Sequence, residues 1–290
     1  MDGPSSASSP SPRPQERPIG VFDSGVGGLT VLHELLVALP HEDFLYLGDT
    51  ARFPYGDRDG DELQRFALQI AEHLLRRRTK LLVVACNSAA AAAVTALQTR
   101  MMETTLGVDV VAVVGPESQL AVDATDNGRI GLLATPATVS SGAYARAVAA
   151  ADSMVELHAV PCPDLAPIIQ GGFPFDEHVV ETVRAYCEPL RDADVDTVIL
   201  GCTHYPLVAP MLQRTLGRDV RLVTSGQAIA RRVEHALARR DLANPQEQEG
   251  DYRFLCTGNV DAFRELGTRF LQMPLGDIVH VDLEREHATA

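Results

Sequence analysis

The sequence predicts an α/β fold made of two similar, doubly wound domains with parallel sheets and an active site in the cleft between them. Three observations lead there. From Pro18 onward, short apolar runs alternate with amphipathic segments, the pattern of βα units whose strands are covered on both faces. The stretches TKLLVVACNSAAAAAV and VDTVILGCTHYPLVAP share one layout: apolar strand, cysteine, a small polar or Thr-His pair, then a helix start. Ligands collect at the carboxyl ends of parallel strands, and both cysteines fall there.

The elements follow in order. IGVFD (19–23) reads as a strand, followed by a glycine turn and a helix over 29–39; 43–49 is a second strand, and a long helix covers 61–77. LLVVAC (81–86) and its alanine-rich helix come next, then strands over 109–115, 129–135, 155–161 and 196–202, with helical patterns between them. RFLCTG, near the C-terminus, is also strand-like. The first domain is expected over 18–114 plus 225–280 and carries Cys86; the second spans 115–224 and carries Cys202. The Ser/Pro-rich segment 1–17 holds no apolar block and is expected to be a disordered tail, with a second short tail over 281–290.

Composition narrows the function. The 290 residues are 46% apolar, enough for two ordinary cores, and the 39 acidic against 25 basic residues leave a net charge of −14. An acidic surface excludes a nonspecific grip on nucleic acid. No apolar run reaches the ~20 residues of a membrane helix. Five cysteines without close pairing, in a chain with no secretory signal, predict reduced thiols and a cytoplasmic protein.

A cysteine at a strand-to-helix turn faces outward-pointing backbone N–H groups, so such a thiol is expected to ionise easily. Two thiols facing one carbon from opposite sides can remove a proton from one face and deliver one to the other, inverting the centre. A group with a pKa near ambient pH serves as base in one direction and acid in the other. A hydrolase would need only one such nucleophile. Cys162, Cys187 and Cys256 sit in segments without matching turns and read as core filler. His33, His73 and His235 read as surface or boundary residues. Cys86, Cys202 and His204 include zinc-ligand types, but no Cys-x-x-Cys pair anchors a site and no metal is expected. The SGVGG turn lacks the G-x-G-x-x-G spacing of a dinucleotide site.

FDSGVGGLTV, GDTARFPYG, ACNSAA, ATPATVSSGAY and GCTHYPL, in this order from about Ile19 to Gly276, closely resemble the motifs of the glutamate racemases, cofactor-independent enzymes that supply D-glutamate for bacterial peptidoglycan. The resemblance implies that Cys86 and Cys202 are the two catalytic acid/bases, with Asp23 and His204 as polar groups beside them. It also implies substrate contacts from Asp23, Ser24, Tyr55, Gly56, Asn87, Ser88, Thr135, Thr138, Thr203 and His204, the absence of pyridoxal phosphate, and a homodimer. With almost no cationic side chain in these motifs except Arg52, a substrate with two carboxylates must be held by backbone N–H groups and by Ser, Thr and Asn donors. Asp23 could pair with the substrate ammonium or take a thiol proton.

Two positions depart from the family pattern. Gln170, at the end of LAPIIQ, stands where the family commonly carries a glutamate supporting the second-domain histidine, and Thr224 replaces the aspartate of VDSG. A glutamine there would still hydrogen-bond but could not take up a proton, leaving the Cys202 side less activated. An aspartate racemase of the same family, or a regulatory protein of the gyrase-inhibitor type that retains the fold, are the alternatives; retention of both cysteines argues against the second.

Overall fold

The computed structural model describes residues 12–103, 107–172 and 176–288. The first part of the chain forms β1 (Ile19–Asp23), α1 (Leu29–Ala38), β2 (Phe44–Gly48), α2 (Gly60–Arg76), β3 (Leu81–Val84), α3 (Asn87–Glu103) and β4 (Asp109–Ala112). It then crosses into a second sheet through α4 (Val114–Ala124), β5 (Arg129–Ala134), α5 (Pro136–Ser140), α6 (Ala143–Ala151), β6 (Glu156–Pro161), α7 (Leu165–Gln170), α8 (Glu177–Asp192), β7 (Thr197–Gly201), α9 (Ala209–Leu216) and β8 (Arg221–Val223). It returns by α10 (Ser225–Arg239), which packs on α1, and continues as β9 (Tyr252–Cys256), α11 (Val260–Leu271), β10 (Ile278–His280) and α12 (Leu283–Ala288).

All pairings are parallel. The six-stranded sheet runs β10-β9-β2-β1-β3-β4 and the four-stranded sheet β6-β5-β7-β8. These orders contain the same device. In each, the first strand is flanked by the second on one side and the third on the other, with the fourth beyond. The connections that leave the first and third strands therefore run in opposite directions, and this switch point opens a crevice at the carboxyl ends. β1 and β3 bound the crevice of one sheet, β5 and β7 that of the other. The central strands β1, β2, β3 and β7 are buried along their whole length, as helix-covered parallel strands must be.

Several expectations are corrected. The strand expected over 109–115 stops at Ala112, and Val114 opens α4. Pro116 lies in that helix's first turn, where its missing N–H costs nothing. Part of the expected N-terminal tail is packed: Pro14–Glu16 forms a 3-10 turn whose Gln15 carbonyl accepts from the buried Lys80 ammonium at 2.6 Å. Lys80 is also ion-paired to the buried Glu42 at 2.5 Å. Residues 1–11 lie outside the described residues. The segment from 281 is not a loose tail up to 288. Val281 donates to the Cys256 carbonyl at 2.9 Å, Val281 and Leu283 are buried, and α12 packs on α2; 289–290 lie outside the described residues. His73 is buried, because it falls on the inward stripe of α2 that carries Phe66, Ile70 and Leu74. His33 is half-buried and His235 exposed. Among the described residues, no helix is long and apolar enough to cross a membrane.

Candidate active site

Four strand ends converge. β1 delivers Asp23 and Ser24; β3 delivers Cys86, Asn87 and Ser88; β5 delivers Thr135; β7 delivers Cys202, Thr203 and His204. One cleft is lined by Ser24, Tyr55, Gly56, Cys86, Asn87, Ser88, Thr135, Cys202, Thr203 and His204 together. Asp23 and Thr138 stand directly behind this lining, both buried. Both thiols thus border a common space from opposite domains. The cleft is nearly shut, with a cavity of about 20 Å³, room for a single water-sized molecule and not for an amino acid.

At the first thiol, Cys86 ends β3 just before α3. The polar groups that act on its sulfur are the Asp23 carboxylate, the Ala89 backbone N–H of the first helical turn, and the N–H and hydroxyl of Ser24. Easy ionisation does not follow. Burial, reinforced by the Asp23 charge, pushes the thiol up to about 12, outweighing the three donors. Asp23 is itself raised by burial, against N–H bonds from Gly28 and Gly25, the latter at 3.0 Å. Burial thus opposes charge on the carboxylate and on the thiol alike.

At the second thiol, Cys202 is likewise raised well above the ordinary thiol range by burial. Its sulfur lies 3.9 Å from His204 Nδ1, while His204 Nε2 meets Gln170 Oε1 at 2.9 Å. An amide oxygen accepts only, so Nε2 carries the proton and Nδ1 presents a lone pair to the sulfur. Burial pushes His204 down to about 4, which keeps the imidazole neutral. The ring is clamped between Phe53, at 5.5 Å, and Phe270, edge-on at 5.1 Å. Thr203 ties the two halves by donating to Asp23 Oδ1 at 3.3 Å.

The remaining polar groups form two sets. Ser88, Thr135 and Thr138 make a hydroxyl triangle with edges of 2.9, 3.2 and 3.0 Å, bridging the domains. Tyr55 and Gly56 arrive on the loop after β2. The Tyr55 hydroxyl donates to the buried Asp49, which also accepts from Arg52 Nε at 2.7 Å and Thr257 at 2.8 Å. Gly56 O accepts from the Ala137 N–H at 2.8 Å, pinning this loop across the cleft. Arg52, the cation within the motifs, is committed to Asp49, to Gln69 at 2.6 Å and to the Phe66 ring, and does not line the cleft.

Asn87 corrects the expectation of a donor. Its Nδ2 gives one bond to Glu117 Oε2 at 3.0 Å and one to the Tyr144 hydroxyl at 2.7 Å, so its free edge is the acceptor Oδ1. Glu117 was not legible as a site residue, because it lies in a helix outside every motif; Tyr144 closes the ATPATVSSGAY stretch, but nothing local to it signals a partner 27 positions away. Asp49 lies inside the GDTARFPYG stretch, and its spacing from Tyr55 was the available signal. Cys162, Cys187 and Cys256 are buried and free and line no part of the cleft.

The sequence model of the Asp/Glu/Hydantoin racemase family matches residues 29–233. A glutamate racemase of Geobacter metallireducens is 43% identical over 268 residues, covering 92% of this chain and 97% of the relative. One of Bacillus cereus is 40% identical over 270 residues, covering 93% and 98%. The crystal structure of the Francisella tularensis glutamate racemase in complex with D-glutamate superposes with a TM-score of 0.86 at 33% identity, over 93% of this chain and 99% of that one.

Proposed function

The chain belongs to the Asp/Glu/Hydantoin racemase family, and on that footing we propose that it interconverts L- and D-glutamate by a cofactor-independent proton transfer between Cys86 and Cys202, supplying D-glutamate for peptidoglycan. What carries this reading is that the two thiols end equivalent strands of two matching sheet halves and border one cleft. In one direction the thiolate of one cysteine takes the α-proton, forming an S–H bond as the C–H bond breaks. The opposite thiol then gives its proton to the other face and becomes the thiolate. The enzyme ends with its charge on the other sulfur, ready for the reverse reaction.

The raised thiol pKa values fit a site that is neutral until substrate arrives. Asp23 is the acceptor for the Cys86 proton, and the His204 Nδ1 lone pair is the acceptor for the Cys202 proton. The substrate ammonium supplies the positive charge that makes a thiolate affordable in this dry cleft. Charge developing on the α-carboxylate is met by hydroxyl and backbone donors of Ser24, Gly56, Ser88, Thr135 and Thr203, held in advance by their own hydrogen bonds. Because the cavity holds only a water-sized molecule, binding requires the domains to part about the two chain crossings, between β4 and α4 and between β8 and α10. The five free thiols suit a cytoplasmic protein, and a homodimer is proposed on the family resemblance alone.

Incubation with L-glutamate in D2O tests the proposal. Deuterium at the α-carbon together with loss of optical rotation is expected, with aspartate run alongside to separate the two acidic substrates. Cys86→Ser and Cys202→Ser should each lower kcat by about 10²–10⁴-fold, the usual weight of a general acid/base, with the circular dichroism spectrum unchanged. Full activity in either variant overturns the two-thiol mechanism.

A further inference from the structure

A further buried carboxylate, outside the thiol machinery, stands behind the cleft-lining Asn87. Glu117, on the first turn of α4, is completely buried. Its Oε2 accepts from Asn87 Nδ2 at 3.0 Å and from the Tyr144 hydroxyl, and its Oε1 accepts from the Ser225 hydroxyl. Tyr144 accepts in turn from the second amide proton of Asn87 at 2.7 Å. Both amide protons of Asn87 are therefore taken up inside the protein. Asn87 Oδ1, buried and without a hydrogen-bond partner, is the edge of this cleft-lining residue left for a bound molecule. The donors come from α3, α6 and the first residue of α10, so the carboxylate also joins both domains where the chain crosses between them.

Resting on the racemase reading above, we propose that Glu117 is a positioning residue for substrate recognition: by binding the nitrogen edge of Asn87 it presents Oδ1 to the cleft as the acceptor for the substrate α-ammonium. The orientation matters because an amide is two-sided. With its nitrogen edge toward the cleft, Asn87 would turn donors on a cation and leave a carbonyl against a carboxylate. Three donors converging on one carboxyl group suit the ionised form, which accepts at both oxygens. A glutamine at 117 can keep Oε1 toward Asn87 and Tyr144 and give an N–H to the Ser225 hydroxyl, but its neutral oxygen holds the Asn87 N–H edge less firmly than a carboxylate does and frees the Asn87 amide to rotate.

The group most exposed to this change is the substrate ammonium, so the test compares ligands with and without it. Binding of L-glutamate and of glutarate, which lacks the amino group, is measured by calorimetry for the full-length wild type, Glu117→Gln and Tyr144→Phe. Wild type is expected to prefer L-glutamate. Glu117→Gln should weaken L-glutamate by about tenfold, the usual size of one mispaired buried polar group, and leave glutarate within about twofold. Tyr144→Phe, which frees one Asn87 proton but keeps the carboxylate, should show the same selectivity at smaller size and serves as the readout if Glu117→Gln does not fold. In turnover, KM should rise while kcat stays within about threefold, since the interaction exists before the proton moves. The acid limb of the wild-type kcat/KM profile, placed near neutrality by Glu117 as burial raises it to about 7, should move to lower pH in Glu117→Gln, where Asp23 is the carboxylate left to set it; Tyr144, Asn87 and Ser225 are the polar groups facing Glu117, and none of these carries charge. Equal weakening of both ligands, or of neither, overturns the proposal, as does a wild type without preference for L-glutamate. A wild type that binds with this preference but never exchanges the α-proton overturns the racemase reading and leaves this one standing.

Discussion

At the scale of single residues, the two thiols are served by different chemistry. Cys86 faces a carboxylate and Cys202 faces a neutral imidazole whose far nitrogen donates to Gln170. The glutamine oxygen fixes the tautomer without offering charge, so nothing at that side steadies an imidazolium. Gln170→Glu should supply that charge and raise the His204 pKa from its depressed value. Enantiomers have equal free energy, so kcat/KM must stay equal in the two directions. The expected outcome is a several-fold rise of kcat only where Cys202 removes the proton, matched by a rise of KM, with L→D and D→L profiles that separate on the pH axis. Equal changes in both directions would remove the assigned role of Gln170. The same histidine links pH to stability. Its folded pKa of about 4 lies below the ordinary 6.5, so the unfolded chain binds the extra proton first. This contribution to stability is present above pH 6.5 and is lost as pH falls toward 4. Urea titrations should show a shallower loss across this window in Gln170→Glu than in the wild type.

At the scale of elements, the glycine turn between β1 and α1 lets the domains approach. A Cβ on Gly27 would lie 2.4 Å from Thr203 Oγ1 and 2.5 Å from His204 Nδ1, both side chains of the opposite domain. Gly27→Ala must displace the Cys202-bearing turn, and we expect kcat/KM to fall about 10²-fold with only a modest drop in the thermal midpoint, the signature of misplaced rather than missing groups. Unchanged kinetics would mean that this turn does not set the spacing between the domains. Why the turn was legible in the sequence and other features were not has a physical basis. The central strands are continuous apolar runs ending in Asp23, Cys86 and Cys202, and parallel packing leaves them no other pattern. The run 110–114 is apolar throughout, which suits a buried strand and a buried helix start equally, so the break at Ala112 came only with the fold. β8 and β10 are three residues each, partly exposed, and exist because a neighbouring strand pairs with them. The Glu117 network joins residues 30, 27 and 108 positions apart, a distance over which no local pattern extends.

At the scale of the whole molecule, electrostatics opposes the proposed substrate. The chain carries −14, glutamate carries a net −1 at neutral pH, and among the described residues no lysine or arginine lines the cleft, while Asp57 stands at its mouth. Arg52 is committed to Asp49 and Gln69, and Arg58 to Glu62. Recognition then rests on neutral donors inside the cleft, which act at contact range, and the long-range field works against approach. Salt shortens that field from a Debye length of about 30 Å at 0.01 M to about 8 Å at 0.15 M, but leaves short hydrogen bonds inside the cleft largely untouched. KM for glutamate should therefore fall about two- to threefold over this range while kcat stays level, as expected when only the free substrate's electrostatic work changes. The comparison is made with sodium and potassium chloride in parallel, so that a specific ion effect shows as a difference between them. A KM that rises with salt would mean a positive local potential at the cleft mouth, and recognition of the substrate carboxylates would then have to be assigned to cations rather than to the Ser, Thr and backbone donors described above.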